Sequence, residues 1–234
     1  MDARLAGLDW ARIGEDLDRR GWAVAPILSP EACANAIALW REEDAFRKQV
    51  VMERHGFGQG LYKYWRYPLP SMIASLRNDL YAGLAPIAER WRQRLGAEGT
   101  PFPASHEDYL ARCHAAGQTL PTPLLLRYEA EGYNCLHQDL YGAHVFPMQA
   151  AFLLSRPELD FTGGEFALVE QRPRAQSCVE VVPLARGDMV VFAVDHRPLQ
   201  GSRGWYRTRL RHGVSRVRTG ERYTLGIILH DAAS

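Results

Sequence analysis

The chain has 234 residues, of which 47% are hydrophobic and 24% are charged, and its formal net charge at pH 7 is +1. This composition is typical of a folded globular protein, and it excludes a disordered chain and a protein that binds nucleic acid through a large basic excess. No run approaches the roughly 18 apolar residues of a membrane span, and the acidic N-terminal segment lacks the apolar core of a signal peptide. We therefore expect a cytoplasmic protein with no membrane association and no obligate protein partner.

The cysteine pattern agrees with that compartment. The four cysteines are far apart and form no C-x-x-C pair: Cys33, Cys113, Cys135 and Cys178. This spacing favours reduced, mostly buried thiols over a disulfide framework or a zinc knuckle.

Helical signals dominate the first half of the chain. Apolar spacing and capping residues predict helices over residues 8–20, 29–46, 71–95 and 106–115. The short apolar run 22–28 predicts a strand, and the segment 54–69, rich in glycine and aromatic residues without a clear period, predicts a loop.

The character of the sequence changes at Pro121. From there on, seven short β-rich runs alternate with turn signals in about 110 residues, which indicates a β-sandwich or barrel. The predicted fold class is α+β, with a double-stranded β-helix (jelly-roll) core and N-terminal helices packed on one sheet. We predict a single domain over residues 1–234, with 1–120 as mainly helical support and 121–234 as the jelly-roll catalytic core.

The triplet His137-Gln138-Asp139 is the first candidate for chemistry. In a strand, residues i and i+2 point to the same face, so His137 and Asp139 can reach one metal ion together. A third ligand must come from elsewhere in the fold, and His212 lies 75 residues later at the far end of the β-rich region. Two histidines and one carboxylate form the facial triad of non-haem Fe(II) oxygenases, which leaves coordination positions open for a co-substrate and O2.

An H-x-D triplet alone is weak evidence, and its companions strengthen it. Arg222 lies ten residues after His212 and enters the last predicted strand. The guanidinium of Arg222 suits bidentate binding of a carboxylate on the co-substrate. Thr224, on the same strand face, can donate its hydroxyl to the same carboxylate. The alternative is that Arg222 is only a surface residue near a strand end.

In its second half the chain resembles the 2-oxoglutarate/Fe(II)-dependent dioxygenase superfamily. The resemblance depends on markers in a fixed order: Arg127-Tyr128, His137-Gln138-Asp139, Gly163-Gly164-Glu165-Phe166, Gly187-Asp188, His212 and Arg222. The segment LLLRYEAEGYNCLHQD is similar to the corresponding segment of AlkB-type dealkylases, in which the tyrosine at the position of Tyr128 helps to hold the co-substrate. The whole chain resembles a bacterial family of formerly unknown function that has been predicted to act on damaged nucleic acid.

This resemblance implies Fe(II), 2-oxoglutarate as co-substrate and O2, with His137, Asp139 and His212 as metal ligands. It implies that Arg222, Thr224 and Tyr128 bind the co-substrate. Two features depart from the AlkB pattern. A second arginine expected six residues after Arg222 is Ile228, and the gap of ten residues between His212 and Arg222 is closer to that of prolyl hydroxylases.

Two clusters are candidates for substrate binding. Residues 197–222 contain eight arginines and one acid, Glu221, and we take Arg203, Arg207 and Arg211 as substrate candidates. The segment 62–67 is aromatic and supplies Tyr62 and Tyr64. Arginines that contact phosphate and aromatic rings that stack on bases would suit a reader of flipped or single-stranded bases. The alternatives are a solvated arginine-rich loop and aromatic residues that pack helices onto a sheet.

Three functions compete at this point. The favoured one is oxidative dealkylation (demethylation) of damaged DNA or RNA bases or nucleotides, as in nucleic acid repair. The second is hydroxylation of an amino-acid side chain, in a protein or free, at a prolyl-hydroxylase-like site. The third is a non-catalytic jelly-roll binding module. The sequence alone leaves the substrate, the oligomeric state and the order of the segment 197–211 undetermined.

Overall fold

A computed structural model of the protein describes residues 5–233. This part of the chain has four α-helices: α1 (Trp10–Arg20), α2 (Pro30–Ala38), α3 (Ser71–Arg94) and α4 (His106–Ala115). Its strands are β1 (Trp22–Pro26), β2 (Phe46–Val51), β3 (Gly58–Gln59), β4 (Leu61–Trp65), β5 (Leu124–Tyr128), β6 (Tyr133–His137), β7 (Met148–Leu153), β8 (Phe161–Gly163), β9 (Phe166–Gln171), β10 (Cys178–Val182), β11 (Asp188–Ala193), β12 (His196–Gly201), β13 (Gly204–Val214), β14 (Val217–Gly220) and β15 (Arg222–Ile228).

Local signals in the sequence set the helix ends. The Ser29 side chain accepts a hydrogen bond from the backbone N–H of Ala32 at 3.1 Å and so caps α2. Ser105 does the same for α4, accepting from the N–H of Asp108 at 3.1 Å. Gly21 ends α1 with φ of 81°, in the left-handed region that glycine adopts without strain.

Two large sheets face each other. The major sheet has seven strands in the order β1-β11-β7-β15-β5-β4-β2, and the minor sheet has six, in the order β10-β9-β13-β6-β3 with β12 added beside β13. Every described pairing within these sheets is antiparallel. This is the predicted jelly-roll architecture, in which the two inner faces enclose a core or a cavity.

The helices cover the outer face of the major sheet. One buried cluster joins side chains of the helices to one face of the sheet, among them Leu17, Leu80, Phe152 and Ile227. The other face of the major sheet packs against the minor sheet through a second cluster that includes Val190 and other apolar residues. The prediction of helices packed on one sheet is therefore confirmed, and the catalytic candidates lie on the inner side.

The first half of the chain contributes more to the sheets than the sequence predicted. Strands β1 and β4 belong to the major sheet and β3 to the minor one, so strands from both sides of residue 121 share each sheet. The prediction of a loop over residues 54–69 is wrong, because β3 and β4 lie within it. Gly58 permits a close approach of two strands there, since a Cβ at this position would lie 2.3 Å from the carbonyl oxygen of Tyr133. The single-domain assignment stays a prediction.

The predicted helix 29–46 is also too long. It ends at Ala38, and short 3-10 turns lead to Phe46, which opens β2. Phe46 pairs with Trp65 of β4, and their rings stack with centroids 4.3 Å apart. Burial of these two rings in the sheet outweighs the helical propensity of the preceding residues.

The seven β-rich runs predicted after Pro121 all coincide with strands, but four further strands were missed, β8, β12, β13 and β14. The segment 197–211 belongs to the β12–β13 hairpin. Arg197 anchors this hairpin: it is 1% exposed and donates to Glu170 at 2.6 Å.

The four cysteines are free thiols. Cys33 and Cys113 are buried as predicted, whereas Cys135 and Cys178 are exposed. None of the helices in residues 5–233 combines the length and the apolar character needed to cross a bilayer.

Candidate active site

The site begins with two histidines on neighbouring strands of the minor sheet. His137 is the last residue of β6, and His212 lies near the end of β13. The two residues are direct partners in the antiparallel register, and their ring centroids are 4.2 Å apart. Opposed residues of an antiparallel pair share a face, so both imidazoles point between the two sheets.

Asp139 completes a group of three. It lies two residues beyond the end of β6 rather than within the strand, and its carboxylate turns back toward both rings. Its Oδ1 is 3.6 Å from His137 Nε2, and its Oδ2 is 3.4 Å from His212 Nε2. One donor atom from each residue lies within 4.8 Å of the others, a spacing suited to one metal ion.

Two neighbours hold the Asp139 carboxylate in this orientation. The Tyr141 hydroxyl donates to Oδ1 at 2.5 Å, and Gln149 Nε2 on β7 donates to Oδ2 at 2.7 Å. Burial alone would raise the pKa of Asp139, but hydrogen bonding and charge from His212, with His137 and Tyr141, hold it below its usual range. Burial and the adjacent carboxylate raise the pKa of Tyr141, so its hydroxyl stays protonated and acts as the donor.

The donor set fits a divalent transition metal. The His137 Nδ1 hydrogen-bonds the carbonyl oxygen of Cys135 at 2.8 Å, which leaves Nε2 free to act as a ligand. His212 is 7% exposed and its pKa is lowered by burial, which keeps the imidazole neutral as a ligand must be. Two neutral imidazoles and one carboxylate bind Fe(II) on one face and leave the other positions for further ligands.

A cavity of about 330 Å³ opens over this group. Its floor comes from the minor sheet with the triad, and its opposite wall from the major sheet. The wall residues point inward from three adjacent strands: Tyr62 and Tyr64 of β4, Leu124, Leu126 and Tyr128 of β5, and Arg222, Thr224 and Gly226 of β15. The volume and the mostly apolar lining are those of a small-molecule site.

Arg222 is a buried cation at one end of the cavity. It is 1% exposed, its Nη1 donates to the Thr224 hydroxyl, and its Nε has no hydrogen-bond partner among residues 5–233. Burial lowers the pKa of Arg222 to about 10, although Tyr128 and Glu165 act in the opposite direction, and in residues 5–233 no carboxylate lies within 4 Å of its guanidinium. Tyr128, its partner in the β5–β15 register, presents a buried hydroxyl that makes no hydrogen bond in the described part of the chain. Together these groups can bind the carboxylate of a small dianion.

The structure brings only part of the predicted substrate set to the cavity. Tyr62 and Tyr64 line it, whereas Arg203, Arg207 and Arg211 do not. Side chains alternate along β13, and since His212 points inward, Arg207 and Arg211 project from the opposite face. All three arginines are exposed. The three arginines therefore lie outside the cavity, and their role in substrate binding stays a prediction.

Sequence reasoning missed three residues around the site. Tyr141 and Gln149 hold the metal-ligand carboxylate, and Arg47 of β2 lies with its guanidinium carbon 4.6 Å from the ring centroid of Tyr64. Gln149 left a signal in the sequence, since it is a lone polar residue in an otherwise apolar strand that is buried throughout. Arg47 left none, because its position depends on strand pairing across the sheet edge.

Comparisons with known proteins agree with this geometry. Residues 60–232 match a family of oxygenases described as catalysing oxidative methylation of damaged DNA. An uncharacterized protein of Mycobacterium tuberculosis (strain ATCC 25618 / H37Rv) is 53% identical over 166 residues, which are 71% of each chain.

Two solved structures share the fold. A prolyl-4-hydroxylase from Pseudomonas putida superposes with a TM-score of 0.53 at 15% identity, over 93% of this chain and 96% of that one. A prolyl hydroxylase from Trichoplax adhaerens, in complex with a peptide fragment of hypoxia inducible factor, gives a TM-score of 0.55 at 12% identity, over 93% and 86% of the two chains. At these sequence identities, the comparisons show a shared fold and no more.

The expectation of an oxygenase is thus confirmed by the family match, and the donor atoms of His137, Asp139 and His212 are placed to hold one metal ion. The chain belongs to the oxygenase family described as acting on damaged DNA.

Proposed function

We propose that this protein is an Fe(II)- and 2-oxoglutarate-dependent dioxygenase that removes alkyl groups, methyl groups in particular, from damaged nucleic-acid bases or nucleotides. The observation that carries the proposal is the position of Tyr62 and Tyr64 across one cavity from the triad. An aromatic wall opposite a metal site suits a flat base that has been taken out of its stack. The family description supports the same substrate class.

His137, Asp139 and His212 would hold the Fe(II). When bound, the iron with its 2-oxoglutarate and O2 supplies the oxidising power to insert oxygen into a substrate C–H bond, and the co-substrate leaves as succinate and CO2. An N-methyl group that gains a hydroxyl then releases formaldehyde, which leaves the unmodified base. Oxidation of a methylated base therefore amounts to demethylation.

Arg222, Thr224 and Tyr128 would bind the far carboxylate of 2-oxoglutarate. The guanidinium provides charge and a fork of donors, while the two hydroxyls add hydrogen bonds. Burial raises the pKa of Tyr128 to about 12, so its hydroxyl is a neutral donor at physiological pH. Arg222 is buried without an ion-pair partner in the described part of the chain, and this supports the assignment because such a group is costly unless an anion binds to it.

Two observations favour a second function. Two of the solved structures with this fold are prolyl hydroxylases, so hydroxylation of an amino-acid side chain is the alternative. The net charge of +1 also gives no general attraction for nucleic acid. The aromatic wall favours the base, since it presents two phenol rings to the substrate side of the cavity.

Turnover with matched substrates tests the proposal. The purified protein, supplied with Fe(II), 2-oxoglutarate and ascorbate, is incubated with a single-stranded oligonucleotide containing one N-methylated base, or with a proline-containing peptide of similar length. Succinate and formaldehyde are measured in parallel. We expect both products in equal amounts with the oligonucleotide, and succinate at the uncoupled background with the peptide.

His137→Ala and His144→Ala are the matched variants, since His144 is a half-buried histidine outside the triad. Loss of turnover in the first and its retention in the second would tie the reaction to the triad. Succinate formed with the peptide but not with the oligonucleotide would reject nucleic acid in favour of the second function. Absence of both products, with folded protein and bound Fe(II), would reject the proposed reaction altogether.

A further inference from the structure

The edge strand of the major sheet carries an irregularity beside the cavity. In the pairing of β2 with β4, Phe46 lies opposite Trp65 and Lys48 opposite Tyr64, so that Arg47 is an extra residue in the β2 chain. Such a bulge bends the strand and redirects a side chain, and bulges are frequent at sheet edges and near active sites.

The register shows which way β2 faces at this point. Val50 lies opposite Tyr62 and Lys48 lies opposite Tyr64, and opposed residues of an antiparallel pair share a face. Tyr62 and Tyr64 line the cavity, and Val50 packs in the same buried cluster as Tyr64. Lys48 therefore projects from the cavity side of β2, where it is exposed.

Arg47 reaches the same side by its bulged position. Its guanidinium carbon lies 4.6 Å from the ring centroid of Tyr64, and its Nε donates to the carbonyl oxygen of Pro121 at 3.0 Å. These two contacts fix the fork of the guanidinium while its terminal nitrogens remain available. Neither Arg47 nor Lys48 has a carboxylate within 4.0 Å in the described part of the chain, whereas Arg197 and Arg209 of the β12–β13 hairpin pair with acids.

A continuous set of contacts joins Arg47 to the metal site. The Tyr141 hydroxyl donates to Asp139 at 2.5 Å, Tyr64 donates to Tyr141 at 3.2 Å, and Arg47 covers the ring of Tyr64. Arg47 thus lies directly against Tyr64 of the wall that we assign to the base, and Lys48 follows it in β2. Burial also lowers the pKa of Arg47, although the nearby Tyr64 and Asp231 act in the opposite direction, which indicates a partly desolvated cation.

We propose that Arg47 and Lys48 form the phosphate-binding site for the nucleic-acid strand, and contact the backbone next to the nucleotide whose base enters the cavity. The inference rests on the proposed function, because it requires a nucleic-acid substrate. It explains how a chain with almost no net charge can still bind a strand: two unpaired cations lie where the backbone must pass. It also assigns the phosphate contact to β2, next to the aromatic wall, instead of to the exposed arginines of the β12–β13 hairpin, Arg203, Arg207 and Arg211.

The test measures binding as a function of salt and backbone charge. The probe is a fluorescent single-stranded pentanucleotide with a central N-methylated adenine, and its partner carries neutral methylphosphonates on both sides of that base. Dissociation constants come from anisotropy with the wild type, Arg47→Gln, Arg47→Lys, Lys48→Gln and, as a distant charge control, Arg19→Gln. Arg19 lies on α1 and its side chain is 72% exposed.

For the natural backbone, Arg47→Gln should weaken binding roughly tenfold, the effect of one charge-assisted hydrogen bond. Each lost phosphate contact should also lower the slope of log K against log salt by about 0.7. Arg47→Lys should keep the slope, and Arg19→Gln should change neither quantity. With the methylphosphonate probe, the wild type and Arg47→Gln should bind equally, since the contact is already absent.

Three outcomes would overturn the inference. One is an unchanged slope in both Arg47→Gln and Lys48→Gln while the wild type binds and demethylates the probe, which leaves the proposed function intact. Another is an equal loss in Arg47→Gln for both backbones, which would mean a structural effect. Lys48 is exposed, so its variant remains informative if Arg47→Gln folds poorly. Failure of the wild type to bind either probe would overturn the proposed function together with this site.

Discussion

The Gln149 side-chain amide lies between Asp139 and His212, donating to the carboxylate at 2.7 Å and lying 3.4 Å from the imidazole Nε2. Because Gln149 belongs to the major sheet and His212 to the minor sheet, this contact spans the two layers. The orientation of the metal-binding carboxylate therefore depends on how the two sheets pack. The Gln149 amide thus links the geometry of the metal site to the packing of the two sheets.

The first prediction concerns that coupling. Tyr141→Phe and Gln149→Leu each remove one hydrogen bond from Asp139, and loss of such a contact to a metal ligand typically lowers metal affinity by about 10- to 100-fold. Fe(II) binding is measured by anaerobic equilibrium dialysis, without turnover. Tyr64→Phe, which removes only the next hydrogen bond outward, is the control and should have a smaller effect. Equal affinities in all three variants and the wild type would show that Asp139 needs no such support.

Loss of the carboxylate itself should have a larger effect. In Asp139→Ala the two imidazoles remain, and we expect Fe(II) affinity to fall by more than about 100-fold, beyond the range seen for supporting residues. Turnover of 2-oxoglutarate should fall in parallel. His144→Ala removes an imidazole that has no place in the triad, and should leave both quantities unchanged. Substantial turnover in Asp139→Ala would contradict the ligand assignment.

At the co-substrate site, the positive charge of Arg222 and the geometry of its donors should contribute separately to binding. Arg222→Lys keeps a cation but loses the fork of donors, so we expect KM for 2-oxoglutarate to rise roughly tenfold or more. Thr224→Val removes one hydroxyl and should give a smaller increase. Steady-state kinetics at saturating Fe(II) provide both values, with the exposed Arg218→Lys as the matched control. An unchanged KM in Arg222→Lys would indicate that the carboxylate binds elsewhere.

Stability should depend on pH through His106 of α4. Burial lowers the pKa of this residue from 6.5 to about 4, and Arg77 adds to the shift. Its Nε2 hydrogen-bonds the Leu229 carbonyl oxygen at 2.8 Å. Between these pH values the unfolded chain binds more protons than the folded one, so the free energy of unfolding falls as the pH decreases from about 6.5 towards 4. The full loss is about 3 kcal/mol for this shift in pKa.

Urea unfolding of the wild type and His106→Gln measures this effect. Glutamine can donate to the same carbonyl and does not titrate, so the stability of the variant should lack this component of the pH dependence. The slope of the free energy of unfolding against pH should therefore differ between the two proteins from about pH 6.5 to pH 4. Parallel curves over that window would show that His106 is not held neutral by the fold.

The triad could be predicted from the sequence because its residues occur in recognisable motifs with suitable spacing. His137 and Asp139 are two residues apart, and Arg222 enters a clearly alternating strand. The jelly roll was equally legible, since the runs that form β5, β7, β11 and β15 are short, apolar and bounded by turns. The cytoplasmic location stays a prediction.

The features that sequence reasoning missed depend on contacts between distant segments. Glycines in residues 54–69 suggested a loop, but Gly58 serves a close approach of two strands. Arg207 and Arg211 were substrate candidates because they lie in an arginine-rich stretch near His212, yet alternation along β13 turns them to the opposite face. Arg47 gains its position only from a bulge in the pairing with β4, and single-sequence patterns carry no information on such register shifts.

The most direct test of the central claim is an anaerobic titration of the purified protein with Fe(II) and then 2-oxoglutarate, followed by visible absorption. Chelation of Fe(II) by 2-oxoglutarate in a two-histidine, one-carboxylate site gives a charge-transfer band in the visible region. We predict that this band develops with one equivalent of each in the wild type, is absent in His137→Ala, and needs a higher concentration of 2-oxoglutarate in Arg222→Lys. A folded wild-type protein that binds Fe(II) without developing the band, or a band that persists in His137→Ala, would contradict the account.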